Sequence, residues 1–180
     1  MNKFLILFLT IHFFASCQKK QSINLDGIRN VNNFEYNSLT ENPSKKTLNE
    51  SFKNILDKTT LYSKNGEYWE NMKFNLYPIC FVKDNQIKTL FVLKEIQMMD
   101  GKLSELYLIK LNQNDELIDC KKIAKHESTA NCESDFILKI NKSLAEIMQN
   151  ETCEIGSQSD DENEDTTKTN SEKTLFELNK

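Results

Sequence analysis

From about Phe74 the chain takes on a period of two, in strand-like runs separated by clusters of turn formers. No other feature restricts the fold as much. Strands joined by a few residues must run antiparallel, because parallel neighbours need crossovers of a dozen residues or more. The strand-like runs are Phe74 to Val82, Ile87 to Ile96, Leu103 to Leu111, Leu117 to Ile123, Phe136 to Ile140, Ala145 to Met148, a segment near Cys153 to Ile155, and Thr174 to Leu178. Between them stand Asp84-Asn85, Asp100-Gly101, Asn112 to Asp115 and Asn141 to Ser143, residues that bond their own backbone or tolerate positive φ. The expected fold is mainly β, an antiparallel meander sheet with a tendency to curl toward a barrel. Ile87 to Leu93 and Leu106 to Leu111 are apolar on both faces and should be central strands covered on both sides. Pro78 lacks an amide donor, which places the first strand at an edge or gives it a bulge.

Ahead of the strands, Asn42-Pro43, the box Thr47-x-x-Glu50 and the spacing of Leu48, Phe52, Ile55 and Leu56 predict one amphipathic helix over about 43 to 58. Its apolar stripe should cover one face of the sheet. Residues 18 to about 41 show no sustained period and read as a tether.

The first residues give an address. Lys3 precedes an apolar run from Phe4 to Phe14, and Ala15-Ser16 sets two small residues before Cys17, the pattern of a secretory signal. Phe14-Ala15-Ser16-Cys17 resembles a bacterial lipobox, although Leu is usual where Phe14 stands. The resemblance implies a signal peptide over 1–16 and acyl chains on Cys17, which hold a protein to a bilayer without spanning it. Gln18 stands where an Asp would resemble an inner-membrane retention signal, and Lys19-Lys20-Gln21 lacks an acidic surface-export pair. The expectation is an outer-membrane lipoprotein facing the periplasm. The domain plan is then the signal over 1–16, lipidated Cys17 and tether over 17–41, and one β-rich domain over 42–180 with an acidic loop at 157–169.

With 23 basic and 27 acidic residues the formal net charge is −4, and loss of Lys3 with the signal makes it one more negative. That argues against nucleic acid and against an electrostatic grip on anionic lipid.

Cys80, Cys120, Cys132 and Cys153 follow the anchor, in a compartment that favours disulfides. If Asn141-Lys142-Ser143 is a hairpin turn, Ile140 opposes Ala145 and Leu138 opposes Ile147, apolar against apolar. Carried outward, this register sets Cys132 opposite Cys153. Cys120 with Cys132 is the rival pairing. In the preferred register Cys80 is a buried thiol, with Cys120 unpaired or joined to it. A metal site would draw on His126, Cys120 and Cys132, but no two cysteines have Cys-x-x-Cys spacing, and none is expected.

At this point the chain resembles small β-rich lipoproteins of flavobacterial (Bacteroidota) type, whose functions are largely uncharacterised. The resemblance rests on Leu76-Tyr77-Pro78-Ile79, on Leu106 to Asp119 with its Gln113-Asn114-Asp115-Glu116 turn, and on Phe136 to Leu144, ending in a polar insertion before a last short strand. It implies a β-rich envelope lipoprotein and carries over no catalytic or ligand residue.

Chemistry-bearing motifs are few. The well-separated glycines, Gly27, Gly66, Gly101 and Gly156, make no phosphate loop. A hydrolase would have to be built on His126, in Lys125-His126-Glu127-Ser128, which reads as a polar hairpin loop. Asp161, Asn163, Asp165 and Glu172 fall at positions 1, 3, 5 and 12 of a calcium loop, but Thr166 replaces the turn glycine and the flanks read as strands, so the run is expected to be a solvated loop. Asp165-Thr166-Thr167 resembles a short O-glycosylation sequon of Bacteroidota. Tyr68 and Trp69, beside the Asn65-Gly66 turn, are the candidate protein or glycan contact. The reading that follows is a non-catalytic envelope lipoprotein without a cofactor, acting through protein or glycan contacts. The alternatives are a periplasmic immunity or inhibitor lipoprotein and an envelope hydrolase using His126.

Overall fold

A computed structural model describes residues 23–41, 48, 74–84, 86–98, 101–128, 131–155 and 166–178. The signal, Cys17, the helix expected over 43–58 apart from Leu48, Tyr68-Trp69 and the acidic run 160–165 lie outside the described residues. Among those described there is no helix, and hence none long and apolar enough to cross a membrane.

Eight strands form one antiparallel meander: β1 (Asn33–Asn37), β2 (Phe74–Lys83), β3 (Lys88–Met98), β4 (Gly101–Leu111), β5 (Leu117–Ser128), β6 (Cys132–Asn141), β7 (Leu144–Ile155) and β8 (Thr166–Glu177). Strands β2 to β8 lie side by side in sequence order, and β1 pairs with β6. The strand pairing does not close into a barrel. Instead the sheet curls so that β2, β3 and β4 share one core with β6 and β7, through Cys80, Phe91, Leu106, Phe136, Leu138 and Ile147, all buried. Each such side chain stabilises the fold by about 1.5–3 kcal/mol. A second core, with Leu76, Leu90, Val92 and Ile109, lies on the outer face. It is covered by Ile23, Leu25 and Ile28 and by Leu48, whose amide donates to the Leu76 carbonyl at 2.9 Å. Strands β3 and β4 are therefore sandwiched, as their two apolar faces demand.

Strand β5 stays with β6 for two residue pairs only, Glu127 with Ser134 and Ser128 with Glu133. Beyond that point β1 takes its place, Asn33–Asn37 running against Ile137–Asn141. The segment before β1 reaches the opposite edge of the sheet. Val31 donates to the Phe81 carbonyl and Phe81 to that of Arg29, each at 2.9 Å. Residues 29–37 thus staple β2 to β6. This corrects the tether reading of 18–41, at least from Ile23 onward. One strand's worth of apolar residues, with Val31 and Tyr36 buried, packs without a long alternating run because β6 supplies its register.

The turns are built as their residues dictate. Asn112 Oδ1 accepts the amides of Asn114 (2.8 Å) and Glu116 (3.0 Å), and Asp115 takes φ 62°. At the β6–β7 turn Lys142 takes φ 55°. Pro78 lies in edge strand β2, beside a register shift between Pro78 and Cys80, as a proline without a donor requires.

Several strand boundaries differ from the sequence reading: β5 runs on to Ser128, β6 begins at Cys132 and β8 at Thr166. The runs Ala145 to Met148 and Cys153 to Ile155 are one strand, β7, because Gln149 to Thr152 continue the ladder although their side chains are polar. The acidic loop is shorter than 157–169, since β8 already begins at Thr166. Glu172, at the twelfth position of the calcium template, sits mid-strand opposite Gln149.

Candidate functional site

The inner face of β3, β4 and β5 is a series of rows set by register. Phe91 opposes Leu108, and Leu93 opposes Leu106, which opposes Ala124. Two residues further along, the same face carries Glu95, Ser104 and His126 side by side. The apolar interior of the curl thus ends in a polar row. The turn that leaves β1 closes over this row and encloses a cavity of about 140 Å³, with Leu93 in its lining.

That turn is held firmly. Asn37 Oδ1 accepts the Leu39 amide at 3.0 Å, and the Asn37 carbonyl accepts the Glu41 amide at 3.0 Å. Glu41 returns its carboxylate to the Asn37 amide at 3.2 Å. Ser38 docks on β6, donating its amide to the Phe136 carbonyl (3.0 Å) and accepting the Phe136 amide on Oγ (2.9 Å). Tyr36 packs its ring 6.1 Å from that of Phe136 and donates its hydroxyl to the Glu41 carbonyl at 3.2 Å. Burial, with the negative charges of Glu41 and Glu95, pushes the Tyr36 phenol up to about 12. The hydroxyl therefore stays protonated, in a negative field, at neutral pH.

Two acidic residues, Glu41 and Glu95, and one lysine, Lys102, line the cavity. Lys102 forms an ion pair with Glu95 Oε1, a buried oxygen that has no assigned hydrogen-bond partner among the described residues. His126 Nδ1 is likewise buried without one. Buried polar atoms are rarely left so, because each unmet group costs about 1–3 kcal/mol. Glu95 and His126 both line the cavity, so its wall is polar where the rows before it are apolar.

His126 is not in a hairpin loop. The β4 pairing carries β5 on to Ser128, so the polar stretch Lys125 to Ser128 is strand whose inward residue meets a cavity rather than the core. Ser104 lies beside it and is buried. The order across the strands is Glu95, Ser104, His126, and among the described residues no carboxylate is bonded to His126 Nδ1.

The cysteines are distributed by register. Cys132 stands opposite Cys153 and is disulfide-bonded to it, with Cα atoms 4.0 Å apart. The rival Cys120–Cys132 pairing is thereby ruled out, and Cys132 has no thiolate to offer a metal with His126. Cys80 is a thiol in the inner core, pushed up to about 12 by burial, which outweighs the opposing charge of Arg29. Cys120 packs against the outer core, on the other side of the sheet from Cys80, so these two are not joined. Among the described residues no group of three His, Cys, Asp or Glu side chains is arranged to hold a metal ion.

A second polar cluster lies on the outer face. Lys94 is 4 % exposed and pairs with Glu105 at 3.4 Å, while Lys122 and the Tyr107 hydroxyl donate to the same carboxylate at 2.9 Å each. Lys94 also lies 5.1 Å from the centre of the Phe74 ring. Burial pushes the Glu105 carboxyl up, but the Lys122 hydrogen bond, the Lys94 and Lys122 charges and the Tyr107 hydroxyl together bring it below the ordinary range. Its capacity is met within the fold, so it serves packing. A larger groove of about 630 Å³ beside Ile23 to Ile28 is open to solvent, and its Lys88 is taken by Asp115 at 2.5 Å.

No family model matches this chain, and neither a curated protein nor a solved structure matches it.

The site residues Tyr36, Glu41, Glu95, Lys102 and Ser104 are absent from the sequence reading. Glu95 and Ser104 were missed because a turn centred on Asp100-Gly101 would set Glu95 against Leu106, whereas Gly101 is already in β4, paired with Met98, and the register sets Glu95 against Ser104. Tyr36 and Glu41 were missed because nothing local tells which strand β1 will join.

Proposed function

We propose that this protein is a non-catalytic recognition protein of the bacterial cell envelope, held to a membrane through lipidated Cys17, that binds a partner through the polar cavity at the end of its curled sheet. The observation that carries the reading is the row Glu95, Ser104 and His126, set side by side by register, which lines one cavity together with Glu41 and Lys102 and so gives it one more acidic residue than lysine. Such a site suits a compact monocation that donates hydrogen bonds, such as a lysine ammonium on a protein or an amino sugar on a glycan. The volume admits a group of about four water molecules' size, so it takes one side chain or one ring substituent rather than a whole substrate.

A binding role fits the remaining chemistry. The inner thiol and the Tyr36 phenol are both held protonated, and among the described residues no acid is bonded to the His126 Nδ1. The inner core is filled by side chains such as Phe91 and Phe136, which leaves a small polar mouth as the recognition feature rather than a lipophilic cavity. The anchor, the outer-membrane address and the likeness to flavobacterial lipoproteins enter this proposal through the lipobox-like Phe14-Ala15-Ser16-Cys17 and the strand pattern.

The test is an NMR titration of the full chain with glucosamine, lysine amide and, as neutral control, glucose. The two amines should shift the resonances of Tyr36, Glu41, Ser104 and His126, glucose should not, and Glu95→Gln should weaken the response about tenfold. Equal responses to glucose, or none to either amine, would overturn the assignment.

A further inference from the structure

The two lateral edges of the sheet are treated differently. Edge strand β2 carries Pro78, a register shift beside it, and residues 29–31 bonded along its outer side at Phe81. Each of these blunts an edge. Strand β8 has none of them. Thr166–Glu177 contains neither Pro nor Gly, its register against β7 runs over 12 pairs without a shift, and residues 167–173 are exposed. Among the described residues no strand pairs with its outer side.

We propose that β8 is a self-association edge, at which two copies of this chain pair antiparallel about a two-fold axis through Asn170. An axis perpendicular to the sheet preserves the face of every residue, so it permits only registers in which a residue opposes one of the same face. Centring on Asn170 sets Lys168 opposite Glu172 twice, Thr169 opposite Ser171 twice, and Asn170 opposite itself. Centring on Lys168, Glu172 or Lys173 puts like charges together. Centring on Thr169 or Ser171 leaves both charges opposite neutral residues. The sheet itself points to the same pair. Lys173 is already bound to Glu146 of β7 at 2.8 Å, whereas Lys168 and Glu172 stand opposite Cys153 and Gln149. The two charges that β7 does not answer are the two that the dimer register brings together. Backbone hydrogen bonds supply most of the association, and the exposed ion pairs select the register.

Cross-linking in membranes from cells making the full chain decides the matter, in a Cys120→Ser background. Directly opposed positions have Cα atoms within disulfide range, and diagonal ones do not. Asn170→Cys should therefore yield a disulfide-linked band at twice the monomer mass. Thr169→Cys should yield none alone, and one when coexpressed with Ser171→Cys. Adding Lys168→Glu to Asn170→Cys should cut the yield about tenfold, and adding Glu172→Lys as well should restore it. Equal cross-linking at 169 and 170, no cross-linking at 170, or failure of the double reversal to restore it would each overturn the proposal.

Discussion

Removing the Cys132–Cys153 bond tests the register argument and its energetics together. The bond joins strands β6 and β7 near their open end, with a sequence separation of 21. Chain entropy for a closed loop of about that length gives about 3.4 kcal/mol at 25 °C. The strands remain paired in the same register through Ile140–Ala145 and Leu138–Ile147 whether or not the bond is present, so no new strain or cavity should add to this figure. Stability is spread thinly in a domain of this size, and about 3 kcal/mol corresponds to a fall of about 6–14 °C in Tm. Cys132→Ser, Cys153→Ser and the double variant, unfolded in urea with the midpoint and slope measured, should each lose about 3 kcal/mol. The double variant should lose no more than the singles, because either one already abolishes the cross-link. A loss below about 1 kcal/mol would show that the unfolded hairpin holds its ends together unaided. Losses that add in the double variant would show that the sulfurs contribute through packing instead.

Glu105→Ala should cost about 3–5 kcal/mol in the same assay, since it strands the buried Lys94 ammonium, and Lys94→Met with Glu105→Leu should recover most of it. Because the Glu105 carboxyl is held below the ordinary range, its contribution is complete above the unfolded carboxylate range and is lost as pH falls through the lower folded value. An acid titration of wild type against Glu105→Gln should show that difference disappear at low pH. Cys80 should resist iodoacetamide at pH 8 in the folded protein and react at once in denaturant, and fast alkylation of the native chain would contradict its burial. Cys17→Ala should release the protein from membranes and abolish palmitate labelling, and labelling that persists would contradict lipidation.

The fold was legible where the signal was local. Alternation in Leu103 to Leu111 and the turn formers at Asn112 and Asn141 name strands and hairpins outright, and the Asn141 hairpin carries its register to the disulfide. Legibility failed where partners are distant in sequence. Strand β1 has five residues and only Tyr36 buried, so its identity as a strand comes from β6, about a hundred residues away. His126 was misplaced for a related reason. Polar residues usually mark a loop, but an inward position at the end of a curled sheet faces a cavity, and there a histidine is as suitable as a leucine is in the core. The Asp100-Gly101 signal marks the β3–β4 hairpin but is off by one pair in register, since Gly101 is itself paired with Met98, and so it does not find Glu95 beside Ser104. Connecting them to Tyr36 and Glu41 needs the three-dimensional curl.

The central claim is that the cavity between the β1 exit turn and the Glu95–Ser104–His126 row accepts an amine. A crystal structure of the full chain soaked with lysine amide tests it most directly. The expected result is an ammonium nitrogen inside the cavity, within about 3 Å of a carboxylate oxygen of Glu95 or Glu41. A cavity holding only water at saturating lysine amide, or an ammonium bound elsewhere on the surface, would contradict the account.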